Sequence, residues 1–177
     1  MSFAIAIDEM ILQIDASGAP VRFEYVRGRM KWEMSPASRH QLTIRQIERS
    51  IEPLISGSDC ACFALADVLI RFPDPDQSLK RPDIAIFCRQ PPAVDEALTL
   101  LPAAVIEVVS SGYEEKDLGP DGAPFYLAYG VPEVLVVDPR LELLYHYRVD
   151  RPIERHPTPH SVQLLCGCAV QIPSASG

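Results

Sequence analysis

The spacing of hydrophobic residues predicts three helices. Residues 41–55 place five apolar side chains at helical spacing, and Ser38 or a neighbour is suited to cap the start of this helix. The stripe consists of Ile44, Ile47, Ile51, Leu54 and Ile55. A shorter helix is predicted over residues 8–12. Another begins at Pro124, whose backbone angle suits a first helical turn, and ends at Tyr129 before Gly130.

Strand-like runs fill much of the remaining chain. Residues 23–26 and 29–34 predict a hairpin that turns at Arg27-Gly28. Residues 103–109 are almost continuously apolar, which is typical of a central strand buried on both faces. The other predicted strands cover residues 60–72, 84–87, 133–138 and 141–147, with one or two more in 162–172. Polar loops are predicted for residues 74–80, 90–96 and 110–122.

The order of these elements predicts an α+β fold in a single domain over residues 1–177. The sheet is expected to be mixed, because a helix lies between the strand at Glu107 and the strand at Val134 and permits a parallel crossover. The start of the chain lacks the basic segment and cleavage site of a signal peptide, and no apolar run approaches the ~20 residues that span a bilayer. We therefore expect a cytoplasmic protein with no membrane partner.

Charge narrows the function classes. The net charge of −8 argues against a constitutive nucleic-acid binder. Residues 22–49 nevertheless hold seven basic side chains against three acids, which indicates either a solvated face or a local phosphate-binding surface. The basic residues are Arg22, Arg27, Arg29, Lys31, Arg39, Arg45 and Arg49.

The five cysteines are an odd number in mostly apolar runs, so no disulfide framework is expected. Two Cys-x-Cys pairs, Cys60 with Cys62 and Cys166 with Cys168, could each present both sulfurs on one strand face. Their spacing differs from the usual Cys-x2-Cys metal knuckle. We expect small core residues, with a metal site as the less favoured alternative.

Two acids interrupt the strand-like runs. Asp83 follows Arg81-Pro82 and precedes a buried strand, and Glu107 lies inside residues 103–109. A carboxylate in such a place loses hydration unless a partner compensates it, and a divalent cation shared by both acids is a natural partner. Each acid has a structural alternative, because Asp83 could bind loop amides and Glu107 could pair with an arginine.

Several sequence blocks occur in the order and spacing of a known family. They are residues 23–28, Met34-Ser35-Pro36 with His40, residues 81–85, residues 106–110 and residues 129–139. Over roughly residues 8–172 the chain resembles the Uma-type putative restriction endonucleases, which belong to the PD-(D/E)xK nuclease superfamily. The resemblance implies a restriction-endonuclease-like mixed β-sheet flanked by helices.

The resemblance also implies a catalytic site. Asp83 matches the first motif acid, Glu107 matches the second, and Glu24 resembles a further acid that approaches the site. Mg²⁺ is the implied cofactor, with Mn²⁺ as a substitute, and its expected ligands are Asp83, Glu107 and the carbonyl of Val108. Such a metal ion supplies a hydroxide and charge stabilisation for hydrolysis of a DNA phosphodiester bond.

The lysine of the superfamily motif is missing from its usual places. The standard position, two residues after the second acid, is Val109, and the helical position used by the Uma-type group is Asp121. Lys116 lies in the same segment, and we place it in the catalytic set as a substitute. The structural alternative is that Lys116 is a solvated loop residue.

Three functions therefore remain open. The first is a metal-dependent endonuclease that acts on DNA, with a homodimer expected from the frequency of symmetric dimers. The second is a catalytically degenerate nuclease-fold protein that binds nucleic acid or a protein partner without cutting. The third is a globular interaction protein without a site.

Overall fold

The computed structural model describes residues 6–54 and 59–175. Helices α1 to α4 cover Ile7–Ala16, Ser38–Ser50, Glu114–Leu118 and Ala123–Ala128. Strands β1 to β13 cover Val21–Val26, Arg29–Met34, Glu52–Pro53, Phe63–Ala66, Ile70–Arg71, Leu79–Lys80, Ile84–Phe87, Ala104–Val108, Glu133–Asp138, Leu143–Arg148, Glu154–Pro157, His160–Gln163 and Cys168–Ile172. Within these residues, no helix has the length and apolar character needed to cross a membrane.

The largest sheet has six strands in the order β11-β10-β9-β8-β7-β4. Strands β8 and β9 are parallel, and the other neighbours in this sheet are antiparallel. Because the chain passes through α3 and α4 between β8 and β9, the predicted parallel crossover and mixed sheet are confirmed. Smaller sheets have the orders β2-β1-β6-β5 and β12-β13-β3.

Both faces of the six-stranded sheet are covered, because its central strands are apolar at nearly every position. One face packs against α2, where Ile44 and Ile47 of the helix meet Ile84, Ile106 and Leu135 of the sheet. The other face packs against α4, where Phe125 and Tyr126 of the helix meet Ala85, Val105 and Val136 of the sheet. Glu107 lies two positions after Val105 on β8 and therefore points towards α4.

The β1–β2 hairpin and the central strand β8 are confirmed. Arg27 and Gly28 have φ values of 49° and 78°, as a two-residue hairpin turn of this kind requires. The helix predicted from residue 8 is α1, although it is longer than expected. Helix α4 begins at Ala123 with Pro124 in its first turn, close to the prediction.

Other predicted boundaries are wrong. The proposed strand over residues 60–72 is broken into β4 and β5, because Asp67 adopts a φ of 56° between them. The proposed loop over residues 110–122 contains α3, the loop over residues 74–80 contains β6, and β11 was not predicted.

Helix α2 starts earlier and ends earlier than its hydrophobic stripe indicates. Ser38 is its first residue rather than its cap, and Ala37 at the cap position makes no side-chain hydrogen bond. Ile51 already has an extended backbone, so the stripe continues into a different element. Ile55, the predicted last residue, lies outside the described part of the chain.

The expectation that the cysteines form no disulfides is wrong. Cys60 is bonded to Cys88, and Cys62 is bonded to Cys168. The antiparallel pairing of β4 with β7 brings Cys60 next to Cys88, because the N–H of Ala61 donates to the carbonyl of Cys88 at 2.9 Å. Sequence spacing does not reveal this pairing, which depends on strand neighbours.

Candidate active site

The register between β7 and β8 brings Asp83 to Glu107. The two strands are antiparallel, and Ile84 at the start of β7 lies opposite Ile106 on β8. One step further along the ladder, Asp83 therefore faces Glu107. The acids are remote in sequence, yet they meet at the point where β7 begins and β8 ends.

Reciprocal hydrogen bonds join the two segments. The N–H of Asp83 donates to Glu107 Oε2 at 3.0 Å, and the N–H of Val108 donates to Asp83 Oδ2 at 2.7 Å. The Tyr126 hydroxyl of α4 donates to Glu107 Oε1 at 2.7 Å. Neither carboxylate forms an ion pair with an arginine of the described residues.

Burial and mutual repulsion separate the titration of the two acids. Burial raises the pKa of Glu107 to about 8, against the opposing charge of Lys116, and the neighbouring Asp83 carboxylate raises it further. Burial would also raise the pKa of Asp83, but the hydrogen bond from His40 and the charge of Lys116 leave that pKa below its usual value. At neutral pH, in the absence of a cation, the pair therefore holds a proton on Glu107.

His40 contacts both sides of the acid site from helix α2. Its Nε2 lies 2.7 Å from the Val108 carbonyl oxygen and 3.3 Å from Asp83 Oδ2. Both of these atoms are acceptors, so Nε2 carries the proton. Burial lowers the pKa of His40, but the hydrogen bond and the charge of Asp83 outweigh this effect and raise it overall.

Lys116 lies in helix α3 and is mostly buried, so it is not a solvated loop residue. Its Nζ donates to Glu33 Oε1 at 2.8 Å and lies 4.0 Å from Asp117 Oδ1. Burial lowers the pKa of Lys116, but the charges of Glu107 and Glu24 raise it well above its ordinary value. An ammonium group therefore stands among the site carboxylates.

Asp117 adds a further buried carboxyl group. Burial and the nearby Glu107 raise its pKa well above its ordinary value. Its Oδ1 is buried and accepts no hydrogen bond from the described residues. Sequence reasoning missed Asp117, because an acid beside Lys116 in a polar segment carries no signal of burial.

Glu24 of β1 supports the site from the hairpin sheet. Its Oε1 accepts the N–H of Arg81 at 2.7 Å, and its Oε2 lies 3.7 Å from Lys80 Nζ. Burial alone would raise the pKa of Glu24, but Lys80 and Lys116 lower it overall. Glu24 thereby holds residues 80 and 81, which lead directly into Asp83.

Lys80 is another residue that the sequence reasoning missed. Its side chain is 1% exposed, and Nζ donates to the Asp121 carbonyl at 2.7 Å. Nζ also lies 4.7 Å from the centre of the Tyr126 ring. Lys80 lies three residues before Asp83, which is a signal of a role near the site, but the polar pattern of residues 74–80 predicts a loop.

Neither of the two usual lysine positions of the motif carries a positively charged side chain. Val109 is buried in the apolar layer against α4. Asp121 forms ion pairs with Lys31 and with Arg27 Nε, the latter at 3.6 Å. Burial raises the pKa of Asp121, but the hydrogen bond from Lys31 and the charges of Lys31 and Arg27 lower it overall.

Two open grooves are lined by residues next to the acids, Lys116 in one and His40 in the other. One has a volume of about 330 Å³ and is lined in part by Glu24, Lys31, Trp32 and Lys116. The other has a volume of about 380 Å³ and is lined in part by Pro36, His40 and Arg140. The Asp83 side chain retains 15% exposure, so the site is accessible to solvent although Glu107 is not.

The basic residues of 22–49 divide into two groups. Arg22 pairs with Asp15 and Asp67, and Arg27 and Lys31 pair with Asp121. The remaining four are exposed and form no ion pair within the described residues; they are Arg29, Arg39, Arg45 and Arg49. Only this second group has free charges for the phosphate-binding alternative, which stays a prediction beside the solvated face.

The donor atoms fit a hard divalent cation. Mg²⁺ prefers oxygen ligands and uses one or two carboxylates, which Asp83 and Glu107 supply together with the Val108 carbonyl. The buried Asp117 oxygen that accepts no hydrogen bond from the described residues and the raised pKa of Glu107 indicate an excess of acid that such a charge would relieve. Two of these oxygen atoms, the Val108 carbonyl oxygen and Asp83 Oδ2, are also contacted by His40 Nε2.

This mixed sheet flanked by helices is a fold of the restriction-endonuclease-like class. A family model described as "Uma2: Putative restriction endonuclease" matches residues 8–171. The chain therefore belongs to the Uma2 family, and the predicted family and fold class are confirmed.

Four chains of solved structures match significantly. One is the crystal structure of a putative nuclease belonging to DUF820 from Anabaena variabilis ATCC 29413. Its TM-score is 0.56 and its sequence identity is 18%, over 80% of each chain. At this identity the likeness shows a shared fold. No curated protein matches significantly.

Proposed function

We propose that this protein is a metal-dependent endonuclease that hydrolyses DNA phosphodiester bonds. The single observation that supports it most strongly is the reciprocal hydrogen bonding between the segments of Asp83 and Glu107. Within the described residues, neither acid forms an ion pair with an arginine, which would have indicated a purely structural role. Family membership supports a nuclease in general, and the finer statement rests on these side chains.

Asp83, Glu107 and the Val108 carbonyl would hold the cation. When bound, Mg²⁺ acidifies a water molecule and acts as a Lewis acid on the scissile phosphate. Tyr126 fixes the orientation of Glu107, and His40 does the same for Asp83. Lys116 would stabilise negative charge as it develops on the phosphate, and Glu24 positions Lys80 and the approach to Asp83.

DNA would approach over the exposed basic group. Arg39, Arg45 and Arg49 lie on α2, the helix that also carries His40, and Arg29 lies on the hairpin that borders the groove at Lys116. Exposed arginine side chains bind the phosphate backbone without reading base sequence. Because the net charge of the protein is −8, DNA phosphates would be attracted to these arginines and not to the protein surface as a whole.

The test is nicking of plasmid DNA with Mg²⁺ or Mn²⁺. Cleavage is expected in the wild type and is expected to disappear in Asp83→Asn and Glu107→Ala. Exposed Glu96 provides a matched control, because Glu96→Gln removes an acid from a surface loop away from the site. A folded wild-type protein that cuts no DNA form with either metal would contradict the proposal.

A degenerate protein that binds without cutting is the second candidate. Asp121 favours it, because an acid that pairs with Lys31 stands where the Uma-type group has its lysine. If the wild type is inactive and Asp121→Lys gains cleavage, the missing lysine is the cause and this second candidate is correct.

We also propose that the protein works in the cytoplasm as a homodimer. Two-fold symmetric dimers suit symmetric DNA sites and are the commonest oligomers. Light scattering of the purified protein, with and without DNA, tests the dimer, and a monomer in both samples would contradict it.

A further inference from the structure

All five cysteines lie in one cluster at the edge of the six-stranded sheet. Cys60 and Cys62 precede β4, Cys88 follows β7, and Cys166 and Cys168 lie at the turn into β13. Asp83 precedes the first residue of β7, whereas Cys88 follows its last residue. The cluster is therefore separated from the acid site by the length of that strand.

The distances between the sulfur atoms are informative. Cys60 Sγ lies within 4.8 Å of the sulfur atoms of the other four cysteines. Cys168 Sγ is 3.6 Å from Cys60 Sγ and 3.5 Å from Cys166 Sγ. Four thiolates at ~2.3 Å from a tetrahedral Zn²⁺ are separated by about 3.8 Å from one another. The two measured non-bonded distances, from Cys168 to Cys60 and to Cys166, are close to this value.

The two disulfides involve four of these sulfurs, so the redox compartment decides whether the cluster holds disulfides or thiols. Disulfides persist in oxidising compartments, but cytoplasmic thiols keep cysteines reduced. Reduction of both bonds takes four electrons and four protons from a thiol or dithiol reductant, and it leaves four protein thiols. In the proposed cytoplasmic location, five thiols then share one largely apolar site.

We propose that the reduced cluster binds a soft divalent cation, represented by Zn²⁺, through the thiolates of Cys60, Cys62, Cys166 and Cys168. Soft thiolate ligands favour this class of metal, and each thiol loses its proton on binding. Cys60, Cys62 and Cys168 lie within mutual reach, and Cys166 completes the set next to Cys168. Cys88 groups with Cys60 and Cys166, and we leave it outside the ligand set.

The backbone holds these sulfurs in place. The N–H of Leu164 donates to the Cys168 carbonyl at 2.8 Å, and the N–H of Gly167 donates to the Leu164 carbonyl at 2.9 Å, so the turn that carries Cys166 is closed by hydrogen bonds. Cys62 has a φ of 51°, a left-handed conformation that a cysteine adopts only under constraint. The two Cys-x-Cys pairs meet where Cys168 Sγ lies 3.6 Å from Cys60 Sγ.

The metal site would have a structural role. It would join β13 of the three-stranded sheet to the start of β4, which is an edge strand of the six-stranded sheet. A closed four-thiolate site contributes to folding rather than to chemistry. The proposal is independent of the nuclease activity, because it uses no residue of the acid site.

The primary test uses the wild-type chain purified anaerobically with a reductant and without added metal. One zinc per chain is expected by elemental analysis, and cobalt substitution should give thiolate-to-cobalt charge-transfer absorption. Metal-free protein with five freely reactive thiols would overturn the proposal. Two disulfides that persist in the reductant, detected by thiol trapping and mass spectrometry, would also overturn it.

Variants then test the ligand set. Cys166→Ser, at a half-buried turn, is expected to lose zinc and the stabilisation that a chelator removes from the wild type. Cys88→Ser is the matched control and should retain both, as should Asp83→Asn at the acid site. Zinc retained by Cys166→Ser but lost by Cys88→Ser would overturn the assigned ligands.

Discussion

At the scale of single residues, Asp83 and Glu107 act as a pair. Each accepts an N–H from the segment that carries the other, so the position of one carboxylate depends on the strand of its partner. Burial raises the pKa of Glu107, whereas for Asp83 the same burial is outweighed by the hydrogen bond from His40 and the charge of Lys116. The result is one ionised acid and one that holds a proton until a cation replaces it.

Lys116 is expected to be the charge-stabilising group of the site. Lys116→Met should lower the nicking rate on the order of 10² to 10³, as the loss of other preorganised electrostatic groups does. The measurement is the initial rate of plasmid nicking, with Mn²⁺ affinity measured separately by calorimetry.

Lys31→Met is the matched control for Lys116→Met. Lys31 lines the same groove but pairs with Asp121 rather than with the site acids, so its loss should change the rate far less. If Lys116→Met retains the full rate, buried Lys80 becomes the candidate for this role.

Glu107 makes the stability of the metal-free protein depend on pH. Its pKa is about 8 in the folded protein and 4.5 as the reference value. The folded state therefore binds this proton more tightly, and the stabilisation is complete below pH 4.5 and is lost as pH rises towards 8. Each unit of difference between the two pKa values is worth about 1.4 kcal/mol.

Urea denaturation across that pH range, without divalent metal, measures the effect. The free energy of unfolding should fall as pH rises, and Glu107→Gln should reduce the slope. Added Mn²⁺ should restore stability at the alkaline end, because the cation favours the ionised carboxylate. A wild type and a Glu107→Gln variant with identical slopes would contradict the assigned pKa.

At the scale of elements, the short helix α3 carries Lys116 and Asp117 to the acids. Five residues do not form a stable helix alone, so α3 depends on its contacts with α4. Gly122 permits this contact, because a Cβ at that position would lie 2.2 Å from the Asp117 carbonyl oxygen. The close approach of α3 and α4 thus positions Lys116.

Gly122→Ala is expected to destabilise the protein by about 1 to 3 kcal/mol, as overpacking of a tight contact does. The midpoint of urea denaturation measures this change. Gly28→Ala is a useful comparison, because a Cβ there meets nothing closer than 3.7 Å and the cost comes from the φ of +78° alone, about 1 kcal/mol. Equal stability of Gly122→Ala and the wild type would show that α3 shifts freely.

At the scale of the whole molecule, one sheet with two covered faces organises the site. Helix α2 packs on the face of Ile84 and Ile106, and it delivers His40 to the end of β8. Helix α4 packs on the opposite face and delivers Tyr126 to Glu107. The acids are therefore supported from both faces of the sheet.

Ile47 is expected to be a major stabilising residue of this arrangement. Its side chain is fully buried, and Ile47→Ala should cost about 2 to 5 kcal/mol, the range for a cavity in a packed core. Leu42→Ala on the same helix is the matched control, because Leu42 is 61% exposed and its loss should change stability by less than about 0.5 kcal/mol. Equal effects of the two substitutions in urea denaturation would contradict this packing.

The sequence by itself determined the α+β class, the hairpin at Arg27-Gly28, the buried strand around Glu107 and the presence of one acid before a strand and another inside a strand. These features depend on local patterns, namely the period of hydrophobic residues and the turn preference of glycine. Family membership followed from short blocks of residues in a particular order.

Only the tertiary structure decided which groups meet at the site. The β7–β8 register placed Asp83 opposite Glu107, the packing of α3 buried Lys116 and Asp117, and strand neighbours gathered the cysteines. These contacts join residues far apart in sequence, and a shift of one residue in register would point each side chain to the opposite face. Local patterns contain no information about such pairings, because the free energy that selects them comes from packing the whole sheet.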